Sequence, residues 1–161
     1  PTVFNLLGPI VNPCIPSFQL LGVANLSQMR LYSEVLTRLG VGFSVITSLD
    51  GYDEISLTGD FKISTSDFEH IYSPEDLGLS RTNPKELYGG STPEEAAKIF
   101  DNVLEMTASK SQIQTVLANA GFAIHTIDPS KTIADCIAEA KESLESGKAL
   151  KTLRKFIEIN Q

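Results

Sequence analysis

Hydrophobic residues in the first third of the chain follow the pattern of a strand–helix–strand unit. Residues 18–24 and 41–48 are short apolar runs, and the second is rich in β-branched residues, as buried strands are. Between them, apolar residues recur at three- and four-residue spacing over residues 26–39, and Asn25 or Ser27 can cap this predicted helix. Because two parallel strands need such a crossover, the pattern predicts a parallel β-α-β unit.

The next stretch predicts turns and short antiparallel strands. Asp-Gly at residues 50–51 marks a turn, and a short strand is expected at residues 55–57. Residues 61–65 and 67–73 alternate apolar and polar side chains, as a half-exposed antiparallel pair does. The remaining predictions here are a one-turn helix at residues 73–77 and a loop over residues 78–90.

The last part of the chain predicts four helices. Thr-Pro-Glu-Glu at residues 92–95 is a capping box with proline at the first helical position, and it opens the first of them. The others are expected at residues 110–127, 133–146 and 148–159, the last with a buried face of Leu150, Leu153, Phe156 and Ile157. Small residues at 118–121 would let another backbone approach closely.

These elements together predict an α/β fold. No internal repeat or linker divides the sequence, so residues 1–161 are expected to form a single α/β domain. Its expected architecture is a mixed, largely parallel sheet flanked by helices, with a C-terminal helical run.

Composition excludes several classes of partner. The chain has 161 residues, of which 42% are hydrophobic, and a formal net charge of −7. Its basic residues are scattered, which argues against nucleic acid, and no apolar run approaches the roughly 20 residues that span a bilayer. Cys14 and Cys136 fit no metal-ligand spacing, so two free thiols in a reducing, cytoplasmic compartment are expected.

Residues 1–13 form an apolar stretch that Gly-Pro and Asn-Pro interrupt. Such a stretch has to be buried, or wrapped around a partner, to stay in solution. The sequence starts without a methionine and without a signal-peptide pattern. The chain is therefore expected to open in the middle of a fold and to expose apolar surface that a longer parent would bury.

Asp53 and Glu54 are the best candidates for chemistry. They directly follow a predicted buried strand, and open α/β sheets bind ligands beyond the carboxyl ends of their strands. In a turn, adjacent carboxylates can converge on one hydrated Mg²⁺ or serve two neighbouring ions, and such a hard cation suits a phosphate-bearing substrate. The alternative is that both are solvated turn residues, and spacing alone favours this alternative.

Other polar or glycine-containing positions give weaker signals. Gly8 and Pro9 could form a rigid wall that a ligand approaches, but such a Gly-Pro pair is more often plain turn chemistry, and the residues alone favour that interpretation. The loop at residues 89–91 could present N–H groups to an anion, but the acidic first turn of the following helix favours capping. His70 and His125 have no acidic or cysteine neighbour at ligand spacing and receive no role.

Three sequence blocks resemble one enzyme family. They are Phe-Asn-Leu-Leu-Gly-Pro-Ile-Val-Asn-Pro at residues 4–13, Gln-Leu-Leu-Gly-Val at residues 19–23, and Asp-Gly-Tyr-Asp-Glu-Ile-Ser at residues 50–56. In this order they resemble the anthranilate phosphoribosyltransferases of tryptophan biosynthesis, and the first and third blocks together are highly specific. The resemblance continues through residues 74–79, 89–90, 117–120 and 146–150, so it covers essentially the whole chain.

The resemblance implies a glycosyltransferase of the pentosyltransferase class. In that family Mg²⁺ and phosphoribosyl pyrophosphate (PRPP) meet anthranilate between a small helical domain and a large α/β domain, and the amine of anthranilate displaces pyrophosphate. By position, Asp53 and Glu54 look like the pair that holds Mg²⁺ at the diphosphate. Gly8 and Pro9 look like part of the anthranilate-binding wall. No catalytic residue is implied within this chain, and a homodimer is implied for the parent enzyme.

Several segments of the family pattern are not found in this chain, and one matched segment differs. The Gly-Thr-Gly-Gly-Asp phosphate loop, the Lys-His-Gly-Asn segment and an anthranilate-binding arginine lie upstream of Phe4 in the family and are not found here. The chain is therefore predicted to be an incomplete large domain of the nucleoside phosphorylase and phosphoribosyltransferase type, inactive alone. Within the matched region, the usual Asn-Ala-Ala becomes Asn119-Ala120-Gly121, a mild change at a packing position.

Two other functions remain open at this point. One is a non-catalytic binding protein on the same scaffold, such as a nucleic-acid-binding relative, and the net charge of −7 weighs against it. The other is a related nucleoside phosphorylase of similar fold. The motif at residues 4–9 weighs against the phosphorylase.

Overall fold

A computed structural model describes residues 3–161. Pro1 and Thr2, the first two residues of the apolar stretch discussed above, lie outside the described residues. Four strands form one sheet in the order β1-β2-β3-β4. They are β1 (Phe18–Gly22), β2 (Gly42–Ser48), β3 (Phe61–Ser64) and β4 (Glu69–Tyr72). The β1–β2 pair is parallel, whereas β2–β3 and β3–β4 are antiparallel.

The mixed sheet flanked by helices is confirmed, with one correction to its strand directions. Only the β1–β2 pair is parallel among the described strands, so the sheet is not largely parallel. The physical reason is the path of the connections. The segment between β2 and β3 folds back on itself, because the Leu49 N–H donates to the Asp60 carbonyl across its base. A 14-residue helix separates β1 from β2 and allows the parallel crossover, whereas β3 and β4 are joined by a short turn that reverses the chain.

The described part of the chain contains six α-helices. They are α1 (Val3–Leu7), α2 (Leu26–Leu39), α3 (Pro93–Leu104), α4 (Lys110–Ile127), α5 (Ile133–Glu145) and α6 (Lys148–Ile159). The predicted ends of α2, α4 and α6 are confirmed. The Asn25 side chain accepts a hydrogen bond from the Gln28 N–H at the start of α2, and Gly40 ends that helix in the left-handed conformation.

Several local predictions were wrong. Helix α1 and the 3-10 helices Gly8–Ile10 and Pro84–Leu87 were not expected. Residues 55–57 form no strand, because a side chain of α4 takes up the hydrogen-bonding groups of Ile55 and because Leu57 has a φ of 60°. The predicted single helical turn is present as the 3-10 helix Pro74–Leu77.

The core lies on both faces of the sheet, as the alternation of side chains along β2 requires. Val45 and Phe43 pack against α2, in a cluster with Met29, Tyr32 and Leu36. Ile46 points to the other face, where it packs in a cluster with Phe61, Ile63, Ala118 and Phe122. A third cluster joins α3, α4 and α5 through Val103, Leu117, Ala140 and Leu144.

Helices α4 and α5 approach closely at Gly121, as the small residues there predicted. A Cβ atom on Gly121 would lie 2.5 Å from Cγ1 and 3.1 Å from the backbone nitrogen of Ile137. Glycine therefore allows this approach, which places α4 along the sheet with its other side against β1 and β2.

The predicted buried face of α6 was wrong. Phe156 is 64% exposed and Ile157 is 44% exposed, and α6 has no buried residue. Large apolar side chains of α1 are exposed as well, among them Val3 and Phe4. Within residues 3–161, no helix has the length and apolarity that crossing a membrane requires.

Candidate functional site

Asp53 and Glu54 lie in the segment that links β2 to β3, just beyond the carboxyl end of β2. Both side chains are exposed. The segment is closed at its ends by backbone hydrogen bonds: the Ser48 N–H donates to the Tyr52 carbonyl at 2.9 Å, and the Leu49 N–H donates to the Asp60 carbonyl at 2.8 Å. The pair therefore sits in a closed loop rather than in an extended strand.

Side chains fix the main chain directly after the acidic pair. The Ser48 hydroxyl donates to the Glu54 carbonyl at 2.6 Å. Asn119 of α4 accepts from the Ile55 N–H at 3.1 Å and donates to the Ile55 carbonyl at 2.8 Å. Since the Ile55 side chain is also fully buried, the backbone on the C-terminal side of Glu54 is held by both polar and apolar contacts.

Gly22, the last residue of β1, packs closely against the backbone of Asp53. A Cβ atom at Gly22 would overlap the Asp53 carbonyl oxygen, so only glycine allows the loop to pack on β1 in this way. The resemblance included Gly22 without giving it a role. A glycine at the end of a buried strand was the available signal, but the loop that it contacts lies about thirty residues further along the chain.

The carboxylates themselves remain free, in contrast to their backbone. Within residues 3–161 neither Asp53 nor Glu54 takes part in an ion pair or a side-chain hydrogen bond. The acidic residues elsewhere on this surface are often paired; for example, Arg81 bridges Asp60 and Glu75. Two exposed carboxylates on a fixed backbone can therefore accept a cation without first breaking an existing contact.

The donor set fits Mg²⁺ that arrives with a phosphate ligand. In the described part of the chain, no group of three or more histidine, cysteine or acidic side chains could hold a metal ion. Mg²⁺ is commonly bound through one or two carboxylates together with water and substrate phosphate oxygens. Asp53 and Glu54 match that arrangement and do not match a closed metal site made of protein ligands alone.

Gly8 and Pro9 form the second candidate, in the 3-10 helix Gly8–Ile10. Both are exposed, and the Gln19 side chain donates to the Pro9 carbonyl at 2.6 Å. An added Cβ on Gly8 would meet no atom within 4 Å. Packing among residues 3–161 therefore does not explain the glycine, and the space beside it is open.

The two candidates are attached to the same strand at different points. The Pro9 carbonyl is hydrogen-bonded to Gln19, the second residue of β1, whereas the Asp53 backbone packs on Gly22, the last residue of the same strand. Three residues of a strand correspond to about 10 Å. The structure thus ties both candidates to β1 without merging them into one cluster.

The weaker candidates have local structural roles. At the start of α3, the Thr92 hydroxyl accepts from the Glu95 N–H at 3.2 Å, and the Glu95 carboxylate accepts from the Ser91 N–H at 2.7 Å. The acid therefore occupies the N–H group that an anion would need. His125 contacts the Lys131 carbonyl at 3.0 Å, and His70 packs against the ring of Tyr72.

Comparison with known proteins places the chain in a family. Residues 1–150 match the model of the family described as "Glycosyl transferase family, a/b domain". A relative from Phocaeicola vulgatus named anthranilate phosphoribosyltransferase is 62% identical over 159 residues, which are 99% of this chain and 48% of the relative. A Bacteroides thetaiotaomicron protein of the same name is 57% identical over 159 residues, with the same coverage. The chain spans about half the length of the curated relatives that it matches.

Solved structures agree with this placement. Anthranilate phosphoribosyltransferase from Thermus thermophilus superposes with a TM-score of 0.87 at 30% identity, over 98% of this chain and 47% of that one. The fold is also that of the Saccharomyces cerevisiae enzyme in complex with PRPP and Mg, with a TM-score of 0.88 at 24% identity over 98% of this chain and 46% of that one. The chain belongs to the glycosyl transferase family with this α/β domain, and the relatives named here are anthranilate phosphoribosyltransferases.

Proposed function

We propose that residues 1–161 supply the metal-binding side of an anthranilate phosphoribosyltransferase site. In this proposal Asp53 and Glu54 hold Mg²⁺ at the diphosphate of PRPP, and the whole protein transfers the phosphoribosyl group to the amine of anthranilate with release of pyrophosphate. The observation that carries the proposal is the pair of unpaired, exposed carboxylates on a backbone fixed by Gly22, Ser48 and Asn119.

The chemistry of the reaction explains why carboxylates belong at this point. Negative charge builds up on the pyrophosphate as it leaves, and bound Mg²⁺ would neutralise that charge. Asp53 and Glu54 contribute by fixing where the diphosphate lies relative to the α/β domain. Support also comes from the Saccharomyces cerevisiae structure of this fold, which is a complex with PRPP and Mg.

Gly8 and Pro9 are proposed to form part of the wall against which anthranilate lies. Gly8 leaves open space that packing does not require, and Pro9 offers a rigid apolar surface with no N–H donor. The Pro9 carbonyl is held by Gln19, so the wall has a fixed position relative to β1. Support also comes from a Saccharomyces cerevisiae enzyme of this fold in complex with 4-fluoroanthranilate.

A chimera tests the proposal. Residues 1–161 replace the matched half of the Phocaeicola vulgatus relative, and phosphoribosyl transfer to anthranilate is followed by the loss of anthranilate fluorescence. We expect the chimera to be active and the double variant Asp53→Asn/Glu54→Gln to be at least about 100-fold slower, because a bound metal provides several kcal/mol of charge stabilisation.

The matched control for this chimera is Glu105→Gln, which removes one exposed acid outside the site. We expect it to retain the activity of the parent chimera. An active chimera whose rate is unchanged by the Asp53→Asn/Glu54→Gln substitution would contradict the metal role. A chimera that folds and binds PRPP but transfers nothing to anthranilate would contradict the proposed reaction.

Residues 1–161 alone are proposed to be inactive. They contain no Gly-Thr-Gly-Gly-Asp segment, which is the phosphate loop implied by the family resemblance. Asp53 and Glu54 would then hold only one side of the diphosphate. Transfer by the purified 161-residue chain at the rate of the chimera would contradict this statement.

A further inference from the structure

We propose that Asn119 is a positioning residue for the Asp53–Glu54 pair and that its side-chain amide sets the affinity of the pair for a divalent cation. This inference rests on the metal role proposed for these two residues. Asn119 lies on α4, and 64 residues separate it from the Ile55 backbone that it binds.

The amide of Asn119 takes the place of a neighbouring strand. Its Oδ1 accepts from the Ile55 N–H at 3.1 Å, and its Nδ2 donates to the Ile55 carbonyl at 2.8 Å. A residue in a sheet partner would make the same two bonds. Ile55 can therefore stay buried outside any strand without leaving its backbone groups unpaired.

The orientation of this amide is itself fixed. Nδ2 also donates to the Thr115 carbonyl, one turn earlier in α4, at 2.9 Å. Both N–H groups and the oxygen of the Asn119 side chain thus have partners. Turning the amide over would bring two donors or two acceptors together at each contact, so a single orientation is stable.

The position of Ile55 determines the position of Glu54, which precedes it directly. The Glu54 carbonyl is held on its other side by the Ser48 hydroxyl at 2.6 Å. Adjacent side chains of an extended segment point in opposite directions, so two adjacent acids serve one cation only when the backbone is held in a turn. Asn119 supplies two of the hydrogen bonds that hold it there.

Helix formation does not explain an asparagine at this position. Asparagine is a poorer helix former than alanine in a helix interior, and Asn119 lies in the middle of the 18-residue α4. Its contacts outside the helix are to the Ile55 backbone. The geometry therefore favours a role in the loop over a role in the helix.

The experiment is an NMR titration of the 161-residue chain with Mn²⁺ in the presence of inorganic pyrophosphate. Paramagnetic Mn²⁺ broadens the amide signals of residues 53 and 54 when it binds beside them. We expect Asn119→Ala to raise the Mn²⁺ concentration for half-maximal broadening by about tenfold, because the loop that carries both carboxylates loses two backbone hydrogen bonds. Alanine suits the helix, so α4 stays intact. The control Thr115→Val removes a single hydrogen bond from α4 to the Ser56 carbonyl, and its effect should stay below about twofold.

The outcomes separate this inference from the proposed metal role. If Asn119→Ala binds Mn²⁺ as tightly as the unaltered chain, the positioning role is wrong and the metal role stands. If Asp53→Asn/Glu54→Gln leaves the broadening unchanged, the metal role fails and the inference fails with it. Amide hydrogen exchange of the unaltered chain tests the inference without any substitution. We expect the Ile55 N–H to be protected from exchange with solvent. Exchange at the rate of a free amide would overturn the inference.

Discussion

Asp53 and Glu54 combine a held backbone with unpaired side chains. Gly22 contacts the Asp53 carbonyl, the Ser48 hydroxyl holds the Glu54 carbonyl, and Asn119 holds the next residue. An ordinary solvated turn would not need contacts from β1, β2 and α4. At the scale of single residues, this convergence favours binding over the simpler interpretation of the pair as turn residues.

Gly22→Ala tests the packing under Asp53. Its Cβ atom would overlap the Asp53 carbonyl oxygen, which is backbone and cannot rotate away. We expect a loss of about 1–3 kcal/mol in the free energy of unfolding, the usual cost of overpacking, measured by urea denaturation. The matched control is Gly8→Ala, which places a Cβ in open space. Equal stability of the two variants would show that the loop does not rest on Gly22.

Thr47→Val tests a buried hydroxyl of β2. Thr47 is 2% exposed, and its Oγ1 is the single buried side-chain nitrogen or oxygen atom without a hydrogen-bond partner in the described part of the chain. Valine has the same shape and removes the cost of burying an unpaired polar group. We expect a gain of about 1 kcal/mol in the free energy of unfolding. A loss of stability, measured by the same urea denaturation, would mean that the hydroxyl has a partner such as a bound water.

Sequence reasoning at this scale found the candidates but not their supports. The acidic pair follows a recognisable strand, so Asp53 and Glu54 could be selected from the chain alone. Their supports could not, since Gly22 and Asn119 reach the loop only through tertiary packing, and no local pattern encodes a contact across 64 residues. The failed strand prediction at residues 55–57 has the same origin, because a side chain of α4 replaced the expected strand partner.

At the scale of elements, local patterns predicted most of the helices well. The apolar periodicity, together with caps such as Asn25 for α2 and Thr92 for α3, determines where these helices begin. Periodicity does not say whether an apolar face is covered, and α6 was predicted to be buried although Phe156 is mostly exposed. Local patterns predicted the parallel crossover through α2 and the antiparallel β3–β4 pair, and both are confirmed. They did not predict that β3 pairs antiparallel with β2.

Gly121→Ala tests the contact between α4 and α5. The added Cβ would lie 2.5 Å from the Ile137 side chain and 3.1 Å from its backbone nitrogen. Overpacking costs about 1–3 kcal/mol and the better helix propensity of alanine returns about 1 kcal/mol, so we expect a net loss. Calorimetric unfolding should show a lower Tm than the unaltered chain.

The double variant Gly121→Ala/Ile137→Ala identifies the cause of that loss. Shortening Ile137 removes the side-chain clash, so the Gly121→Ala substitution should cost less in this background than in the unaltered chain. If the two substitutions were simply additive, the close approach of α4 and α5 would not be the reason for the glycine.

At the scale of the whole molecule, apolar side chains remain uncovered at both ends of the described chain. Phe4 is 82% exposed, and Phe156 and Ile159 lie on the surface of α6. We expect residues 1–161 to bind a hydrophobic dye and to self-associate, because contiguous apolar surface favours association. Sedimentation velocity of Phe156→Ser should show less association than the unaltered chain, and a monodisperse monomer without dye binding would contradict this prediction.

The central claim is that Asp53 and Glu54 hold a divalent cation at a diphosphate. The most direct test is the anomalous scattering of Mn²⁺ in crystals of the chain soaked with Mn²⁺ and inorganic pyrophosphate. We predict an anomalous peak for a Mn²⁺ ion that is coordinated by a carboxylate oxygen of Asp53 or Glu54. Pyrophosphate oxygens should coordinate the other side of this ion. The proposed metal role would be contradicted if Mn²⁺ at a saturating concentration occupied other sites and left both carboxylates without a metal ion.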